Sequence, residues 1–386
     1  MLLVGRVLRA TTTVETFLLR WDYTGSVNSA GRTENVLVAR RTPKEIPMNL
    51  PIRATIVLSL ALCGLLSVTG ASAATPAVKI IQGPTYGFDG VSDIGSNGNH
   101  VWVANSGANS VTELNATTGA EENLFKSSKY GFDGPAHLSD DGTHVWVANE
   151  SGNSVTELNA STGALVRVIQ GSTYQLHGTG LITSDGEDVW ISNLRGNTLA
   201  EVSATSGNFE KDVKVSFFGL KQVNALTSDA AHVWVVDSDT NTVAEFNVGS
   251  GSHVKVLKGR AYRFDGPLAI TTDGSHVWVT NDRTSSLTEL NAKTGAFIRF
   301  VKGKNDGLSV MSSIASNGTD VWVTNLGTSS ATGNTVSEFR VSTGALVQVL
   351  RGPRYGFSEP YVVTYSSGRV WVANGGTKSL TEFSAG

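Results

Sequence analysis

The chain has a single cysteine, Cys63, among its 386 residues. This cysteine lies in an apolar run that we expect to be removed from the mature protein. The mature protein would then have no disulfide, no thiolate nucleophile and no cysteine-ligated metal, so packing must provide its stability. Proline is also scarce, with 9 residues, whereas glycine is abundant, with 42. Abundant glycine with many Val, Thr, Ser and Asn residues is typical of short strands joined by tight turns.

An excess of charge of either sign is also missing. The 30 Lys and Arg residues nearly balance the 33 Asp and Glu residues, and the net charge is −3. Chains that bind nucleic acid usually carry a basic stripe, so this balance argues against a nucleic-acid partner. The sequence contains no phosphate-binding loop, zinc motif or nucleophile elbow. We therefore expect no cofactor and no bound metal, and we assign no catalytic residue.

Residues 48–73 have the pattern of a signal peptide. Arg53 precedes an apolar run at 54–68, and Ala-Ser-Ala at 71–73 matches a cleavage signal. The run is short for a helix that spans a membrane, and a retained membrane anchor is the alternative. Residues 1–47 show no clear pattern, and we interpret them as a start-site artefact or a disordered extension. We expect a secreted or cell-surface protein without an integral membrane domain after cleavage.

A tryptophan recurs at a nearly constant spacing through the rest of the chain. The first five intervals are all 44 residues, and the last is 49 residues. Seven such units, each rich in strand signals, predict a β-propeller, with a solenoid as the alternative. The seven tryptophans are Trp102, Trp146, Trp190, Trp234, Trp278, Trp322 and Trp371.

One unit divides into four antiparallel strands. Within residues 135–171 the strands are "PAHLS", "HVWVAN", "SVTELNA" and "ALVRVIQ", and turns that contain glycine separate them. The last unit ends after its third strand, whereas the N-terminal strand at 78–82 matches the outer strand at 166–171. We therefore predict that this N-terminal strand completes the last blade and closes the ring, which a solenoid would not need. The propeller is assigned to 74–386.

The stretch "VWVAN" followed by "NSVTELNASTGALV" resembles propeller repeats of the YVTN and NHL types. In these repeats a hydrophobic strand that ends in Asn is followed by a hairpin. The resemblance covers about 78–386 and implies an all-β, seven-bladed β-propeller of four-stranded antiparallel blades. It does not define an activity, because propellers include binding modules, lyases, lactonases and oxidoreductases.

The seven units also serve as an internal alignment. A residue present in every blade is interpreted as structural, so we expect the tryptophans to pack between blades. A glutamate of the third strand is expected to make a repeated hydrogen bond: Glu113, Glu157, Glu201, Glu245, Glu289, Glu338 and Glu382. The second strand ends in Asn in six blades and in Asp237 in blade 4. These amides form either turns or a ring on the face where a ligand binds.

Departures from the repeat are more informative than the repeat itself. The segment "YGFDG" precedes the inner strand, and its acidic position varies as Asp89, Asp133, His177, Lys221, Asp265, Ser309 and Ser358. Blade six also carries a five-residue insertion within 325–339, which is either a binding loop or neutral drift. The candidate ligand-binding residues are His177, Lys221, Asp237, Asp133, Asp265, Asn149, Asn193 and Asn325.

The predicted architecture resembles that of the streptogramin lyases, which are seven-bladed propellers that use His and Glu with magnesium. Their repeats carry a Pro-His pair at certain inner strands. Here none of the equivalent positions is His: they are Ser92, Ala136, Gly180, Asn224, Leu268, Ser312 and Tyr361. His137 lies one residue further on, and alternation along a strand predicts that its side chain points the other way. A lactonase-type calcium site could use Asp89, Asp133 and Asp265, although each also begins an Asp-Gly turn.

These patterns favour an exported, non-catalytic, monomeric propeller that binds a protein, peptide or glycan at its loop-rich face. The alternative is an enzyme that resembles the lyases or lactonases and depends on a divalent metal. A cofactor-dependent oxidoreductase is a third class. The residues of the site, rather than the fold, distinguish these three functions from one another.

Overall fold

The computed structural model describes residues 24–27, 33–36, 77–96, 98–248, 250, 252–303, 305–327 and 333–385. The chain divides into two units, Met1–Gly70 and Ala71–Gly386. In the first unit β1 (Thr24–Val27) pairs with β2 (Thr33–Val36) as an antiparallel hairpin. The proposed signal peptide lies outside the described residues. No helix in the described part of the chain is long and apolar enough to cross a membrane.

The second unit is an all-β propeller of seven blades arranged in a ring, as the repeat predicts. Each blade is a four-stranded antiparallel sheet in which the first strand is innermost. The strand β3 (Val78–Ile81) precedes blade 1. Blades 1 and 2 comprise β4 (Val91–Ser96), β5 (His100–Asn105), β6 (Ser110–Asn115) and β7 (Glu121–Phe125), then β8 (Pro135–Asp140), β9 (His144–Asn149), β10 (Ser154–Asn159) and β11 (Leu165–Ile169).

The later blades repeat this order. Blades 3 and 4 comprise β12 (Thr179–Ser184), β13 (Asp188–Asn193), β14 (Thr198–Ser203) and β15 (Phe209–Lys214), then β16 (Ala225–Ser228), β17 (His232–Asp237), β18 (Thr242–Asn247) and β19 (His253–Leu257). Blades 5 to 7 comprise β20 (Pro267–Thr272), β21 (His276–Asn281), β22 (Ser286–Asn291) and β23 (Phe297–Val301), then β24 (Met311–Ser316), β25 (Asp320–Asn325), β26 (Thr335–Arg340) and β27 (Leu346–Leu350), then β28 (Pro360–Ser366), β29 (Arg369–Asn374) and β30 (Ser379–Ser384).

The tryptophan of the second strand packs between neighbouring blades. All seven of these side chains are fully buried. Trp146 of blade 2, for example, lies in one cluster with Ile182, Val189 and Val202 of blade 3. A buried tryptophan removes about 150–250 Å² from water, so this contact is a major source of stability. The structural interpretation of the repeated tryptophan is confirmed.

The strand β3 lies beside β30 as the fourth strand of blade 7, with Val78 opposite Phe383. Blade 7 also contacts blade 1, since the Gly98 amide donates to Ser366 Oγ at 3.1 Å. These contacts agree with the proposed closing role of the N-terminal strand. Closure of the ring by that strand stays a prediction.

Two sets of loops share one face of the propeller, which we call the mouth face. One set joins each outer strand to the next inner strand, and the other joins the second and third strands. The two sets are tied by backbone hydrogen bonds, such as Ser106 N–H to the Gly90 carbonyl at 2.9 Å and Glu150 N–H to the Gly134 carbonyl at 3.0 Å. The mouth face therefore combines the two loop sets that the sequence places there.

Candidate functional site at the channel mouth

The inner strands surround a central cavity of about 480 Å³, which we call the channel cavity. Most of its lining is aliphatic. The polar and aromatic side chains that line it include Asp93, His137, Asn224, Ser312 and Tyr361. These residues come from blades 1, 2, 4, 6 and 7, so the ring brings together side chains that are far apart in sequence.

Asp93 holds His137 in a defined orientation. The Asp93 Oδ2 atom lies 3.2 Å from His137 Nδ1 and accepts a hydrogen bond from the Leu138 amide at 3.0 Å. The Asp93 Oδ1 atom accepts a hydrogen bond from the Ile94 amide at 2.8 Å. Because backbone donors fix the carboxylate, it can fix the imidazole in turn. Among the described residues, His137 Nε2 has no hydrogen-bond partner.

The prediction that His137 points away from the equivalent lyase position is wrong. Pro135 lies opposite Asn149, whereas His137 lies opposite Ala148, so β8 advances two residues where β9 advances one. This is a β-bulge, which re-aims the side chains that follow it. The bulge places His137 in the channel cavity together with Ser312 and Tyr361, which occupy the position that Ala136 holds in blade 2.

A second cavity of about 650 Å³ opens onto the mouth face beside blades 6 and 7, and we call it the mouth pocket. Its lining residues are Val310, Leu326, Gly327, Asn334, Glu359, Tyr361 and Gly375. Val310, Leu326 and Tyr361 also line the channel cavity, so the two spaces are continuous. The pocket thus combines apolar and aromatic surface with one carboxylate, that of Glu359.

Three lining residues of the mouth pocket have a left-handed backbone. Asn334 has φ 55°, but Asn adopts this conformation readily, whereas Val310 and Glu359 are residue types that rarely do. Val310 has φ 48° and Glu359 has φ 51°. A non-glycine residue in this left-handed region costs about 1–2 kcal/mol, and a β-branched residue is an outlier there. Four other blades have glycine at this position, namely Gly90, Gly134, Gly178 and Gly266. Such strain is concentrated at functional sites in proteins, so it marks this pocket as a candidate site.

The position that Val310 and Glu359 occupy is crowded in a blade that has glycine there. In blade 1 a Cβ atom on Gly90 would lie 2.8 Å from the Gly107 amide nitrogen of the adjoining loop. In blade 7 that loop carries Gly375, and the Glu359 amide donates to Asn334 Oδ1 at 2.7 Å. The sequence contains this signal, because "DGLSV" and "YGFSE" replace the last glycine of "YGFDG" with Val310 and Glu359. The prediction from the sequence rested on the Asp position of this segment, whereas the glycine position is the one that lies in the pocket.

Tyr361 connects the two cavities. The residue is 42% exposed, so part of it is accessible from the cavities while the rest is buried. Burial raises the pKa of the Tyr361 hydroxyl, and the Asp93 carboxylate raises it further. The hydroxyl therefore stays protonated at neutral pH and can donate or accept a hydrogen bond from a ligand in the mouth pocket.

The sequence-predicted cluster in blades 3 and 4 does not form a pocket. His177 and Lys221 are exposed, and neither lines the channel cavity or the mouth pocket. Asp237 is fully buried. Its Oδ2 accepts a hydrogen bond from the Lys221 amide at 2.6 Å, and its Oδ1 accepts one from the Asp239 amide at 2.8 Å. The carboxylate of Asp237 thus holds loop backbone and does not face the solvent.

The predicted asparagines are buried and support the loops. Asn149 donates to Thr156 Oγ1 at 3.0 Å. Asn193 Oδ1 accepts from the His177 amide at 3.1 Å, and Asn325 Oδ1 accepts from the Ser309 amide at 3.2 Å. Asn149, Asn193 and Asn325 are all at most 1% exposed. They do not form an accessible ring of amides. Asn193 and Asn325 bind the backbone of the neighbouring loop, and Asn149 bonds to the third strand of its own blade.

The remaining acidic candidates lie apart on the mouth face. Asp133 is exposed. Asp265 lies 3.9 Å from Arg283 Nη1, and Asp89 lies 2.6 Å from Lys378 Nζ. These three carboxylates belong to different blades and do not form a metal-binding group among the described residues. The ligand-binding roles of Asp133 and Asp265 stay predictions. The described part of the blade-six insertion flanks the mouth pocket, and residues 328–332 lie outside the described residues.

The repeated glutamates make repeated contacts within each blade, as expected. Glu157 forms an ion pair with Arg167, whose Nε lies 2.7 Å from its carboxylate, and His144 Nε2 lies 3.6 Å away. Glu201 lies 3.0 Å from Lys211 Nζ. Burial raises the pKa of the Glu201 carboxyl to about 7, although Lys211 lowers it in part. These glutamates are enclosed between strands and do not line the channel cavity.

One group of described residues has the geometry of a possible metal site. His100, Glu113 and Glu122 place ligand atoms within 4.8 Å of one another. The His100 Nδ1 atom lies 2.9 Å from a carboxylate oxygen of each glutamate, so the three side chains already bind one another. The group lies at the end of β5 opposite the mouth face, far from the pocket that could hold a ligand.

Solved structures of very different sequence share this fold. A structure of streptogramin B lyase matches with a TM-score of 0.60 and 16% identity, covering 80% of this chain and 97% of that chain. A catalytically inactive variant of virginiamycin B lyase from Staphylococcus aureus, with quinupristin, matches with a TM-score of 0.63 and 16% identity. The match covers 81% of this chain and 100% of that chain. The structure of the WD40 repeats of RRP9 matches with a TM-score of 0.64 and 11% identity. The match covers 80% of this chain and 98% of that chain.

No family model and no curated protein matches the chain. At such low identity, the solved structures show the fold alone. The expectation of a seven-bladed propeller that resembles the streptogramin lyases in architecture is confirmed. The resemblance to YVTN and NHL repeats stays a prediction.

Proposed function

We propose that this protein is a ligand-binding propeller that recognises a peptide at the mouth pocket. The observation that carries the proposal is the left-handed backbone of Val310 and Glu359, which directs two side chains into a pocket where other blades have glycine. Strain of this kind persists when it serves a site. The sequence led us to expect a protein, peptide or glycan as the ligand, and of these three we select a peptide.

The chemistry of the lining supports a peptide. Val310, Leu326 and Tyr361 offer an apolar and aromatic surface that suits a hydrophobic side chain. Glu359 offers an acceptor for a backbone amide or a basic side chain at the edge of the same pocket. Tyrosine is enriched among the residues that contribute most to binding, because it combines a large area with a polar hydroxyl.

The test is a selection for binders followed by variants. A phage-displayed peptide library would be selected against the purified propeller, and the Kd of each selected peptide measured by calorimetry. We expect Tyr361→Ala to weaken binding by about 30-fold, which corresponds to about 2 kcal/mol. Glu359→Gly should weaken binding of peptides that carry a basic residue and should have little effect on the others.

The matched control is the double variant His177→Ala with Lys221→Ala, which changes exposed residues of the same face away from the pocket. This variant should bind the selected peptides as the unmodified chain does. Binders that lose affinity in the control and keep it in Tyr361→Ala would contradict the proposal. A library that yields no binder while a glycan array does would also contradict it.

A second candidate function is lyase-type chemistry in the channel cavity. The observation that favours it is the hydrogen bond between Asp93 and His137, which leaves Nε2 of a fixed imidazole facing the cavity. An imidazole in this position could accept a proton from a substrate, with the carboxylate stabilising the imidazolium that forms. The reaction would be an elimination. His137 Nε2 would take the proton from the carbon next to the one that bears the leaving oxygen, the electrons of that C–H bond would form a carbon–carbon double bond, and the C–O bond would break with its electron pair leaving on oxygen.

Quinupristin is the probe for this second candidate. Conversion of the compound would be followed by liquid chromatography with mass spectrometry, with and without magnesium, because a ring-opening elimination gives a product of unchanged mass. Turnover that disappears in His137→Ala and persists in His177→Ala would establish the second candidate. Absence of turnover under both conditions would exclude this reaction and leave the binding function.

The cellular setting belongs to the same proposal. The signal-peptide pattern at 48–73 supports export, so the ligand would be met outside the cytoplasm. N-terminal sequencing of the protein from the culture medium should begin at Ala74. A start within residues 1–47 would contradict this proposal.

A further inference from the structure

A third cavity lies on the outer side of the ring, between the loops of blades 4 and 5. Its volume is about 810 Å³, and we call it the rim crevice. Three cationic side chains line it, those of Lys258, Arg260 and Arg263, together with Phe300 and Asp265. The crevice shares no residue with the channel cavity or the mouth pocket. It is therefore a separate place where a ligand could bind.

Arg263 is held in a strained conformation. Its φ is 56°, in the left-handed region that favours glycine. Five other blades have glycine at the equivalent position, and blade 3 has Gln175. The five glycines are Gly87, Gly131, Gly219, Gly307 and Gly356. A large charged residue at such a position carries strain that a glycine would relieve, which again points to a site.

The outer-strand residue that Arg263 contacts also differs from its equivalents in other blades. The guanidinium carbon of Arg263 lies 5.1 Å from the centroid of the Phe300 ring, a cation–π contact. In four other blades the glycine lies against an aliphatic residue of the outer strand, as Gly131 lies against Val168. Those four aliphatic residues are Leu124, Val168, Val349 and Ile80. Blade 5 thus replaces a glycine–aliphatic contact with an arginine on an aromatic ring, which orients the guanidinium.

The other two cations are exposed at the edge of the crevice. Arg260 replaces the serine or proline that most blades carry at its position, for example Ser128 and Ser172. Among the described residues, neither Lys258 nor Arg260 forms an ion pair. Asp265 is the one carboxylate of the lining, and its nearest cation is Arg283, at 3.9 Å. The lining therefore has an excess of two positive charges.

We propose that the rim crevice binds an acidic saccharide, a chain that carries carboxylate or sulfate groups. Arginine matches the planar geometry of these oxyanions and can bind them with two hydrogen bonds. The neutral polar groups of Thr240, Asn241 and Thr284 complete the lining, and together with the Asp265 carboxylate they match sugar hydroxyls. The net charge of the chain is −3, which disfavours nucleic acid, because proteins that bind nucleic acid usually carry a basic stripe.

The test compares two double variants that remove the same charge. Arg260→Ser with Arg263→Gly gives blade 5 the residues that other blades have at these positions, so the fold should be kept. The control, Lys126→Gln with Lys129→Thr, gives the loop before blade 2 the residues of other blades, as in Gln82 and Thr85. Circular dichroism and thermal unfolding would verify both variants.

The probes are a uronate tetrasaccharide, a sulfated tetrasaccharide, an uncharged tetrasaccharide, inorganic sulfate and a single-stranded oligonucleotide. We expect the unmodified chain to bind at least one of the two acidic saccharides, more weakly as salt increases, and not to bind the uncharged one. The blade-5 variant should weaken this binding at least tenfold, and the control variant less than twofold. Which acidic saccharide binds distinguishes carboxylate from sulfate recognition.

Three results would overturn this proposal: no binding of either acidic saccharide, equal weakening in both double variants, or tighter binding of the oligonucleotide. Inorganic sulfate that binds as tightly as the sulfated saccharide would show that the crevice takes an ion only, and would also overturn it. Tyr361→Ala should leave saccharide binding unchanged. The proposal for the rim crevice and the proposal for the mouth pocket can therefore be refuted independently of each other.

Discussion

His137 Nδ1 lies 3.2 Å from Asp93 Oδ2 across the boundary between blades 2 and 1. The same carboxylate oxygen accepts the Leu138 amide at 3.0 Å, so one acceptor joins two blades inside the channel cavity. The two residues are 44 positions apart and occupy equivalent places in successive blades. Because one of these equivalent positions is Asp and the other is His, their side chains form a polar pair between the two blades.

Replacing Asp93 should destabilise the fold more than replacing His137. Asp93→Ala should lower the free energy of unfolding by about 1–3 kcal/mol, because the Leu138 amide loses its acceptor in a half-buried place. His137→Ala should cost less than about 1 kcal/mol, because it leaves the carboxylate bonded to backbone donors. Urea denaturation of both variants measures the difference. Equal costs would contradict the role given to the carboxylate as the anchor.

The buried tryptophans predict a large loss of stability when one is truncated. Trp146→Ala should lower the free energy of unfolding by about 3–5 kcal/mol, because it leaves a cavity between blades 2 and 3. It also removes the hydrogen bond from Trp146 Nε1 to Asp141 Oδ2, which is 3.1 Å long. Urea denaturation is the measurement. Phe217→Ala is the control, since that aromatic residue is 79% exposed and should change stability by less than about 0.5 kcal/mol.

Glu201 predicts a pH dependence of stability. Its pKa is about 7 in the folded protein, above the ordinary value of 4.5. Below pH 4.5 the carboxyl is protonated in both states, so its contribution to stability is fully present there. As the pH rises, the unfolded chain releases its proton first, and the contribution is lost until the pH passes about 7.

The measurement is urea denaturation at pH 5 and pH 8 for the unmodified chain and for Glu201→Gln. The loss of stability between the two pH values should be smaller in Glu201→Gln, by an amount on the order of 1–3 kcal/mol. The exposed Glu150, changed to Gln, should leave the loss unchanged. A Glu201→Gln variant with the full pH dependence would show that this carboxyl does not titrate in that range.

The strained backbone of Glu359 predicts that a substitution can stabilise the fold. Glu359→Gly should raise the free energy of unfolding by about 0.5–1 kcal/mol, because glycine adopts a φ of 51° without strain. Glu150→Gly is the control in a loop of the same face, where φ is not positive, and it should be neutral or destabilising. Thermal unfolding compares the two. A destabilised Glu359→Gly would mean that the side chain supports the loop rather than a ligand.

Much of the fold was predictable from particular residues. The tryptophan period indicated seven blades, and the glycine turns marked the strand ends. The presence of a glutamate in every blade indicated a structural contact, and Glu157 with Arg167 shows that contact. The site was less predictable, because the departures at His177, Lys221 and Asp237 were conspicuous in sequence and yet do not meet in a pocket. The informative departures at Val310 and Glu359 concerned backbone conformation rather than charge.

The sequence by itself determined the repeat, the order of strands in a blade and the burial of the tryptophans, because each follows from periodicity and hydrophobicity within one unit. Only the tertiary structure decided which side chains share the channel cavity and the mouth pocket. A β-bulge changes the direction of every side chain after it, so strict alternation misplaced His137. The ring also brings Tyr361 of blade 7 near Asp93 of blade 1, a proximity that depends on how the blades pack around the channel.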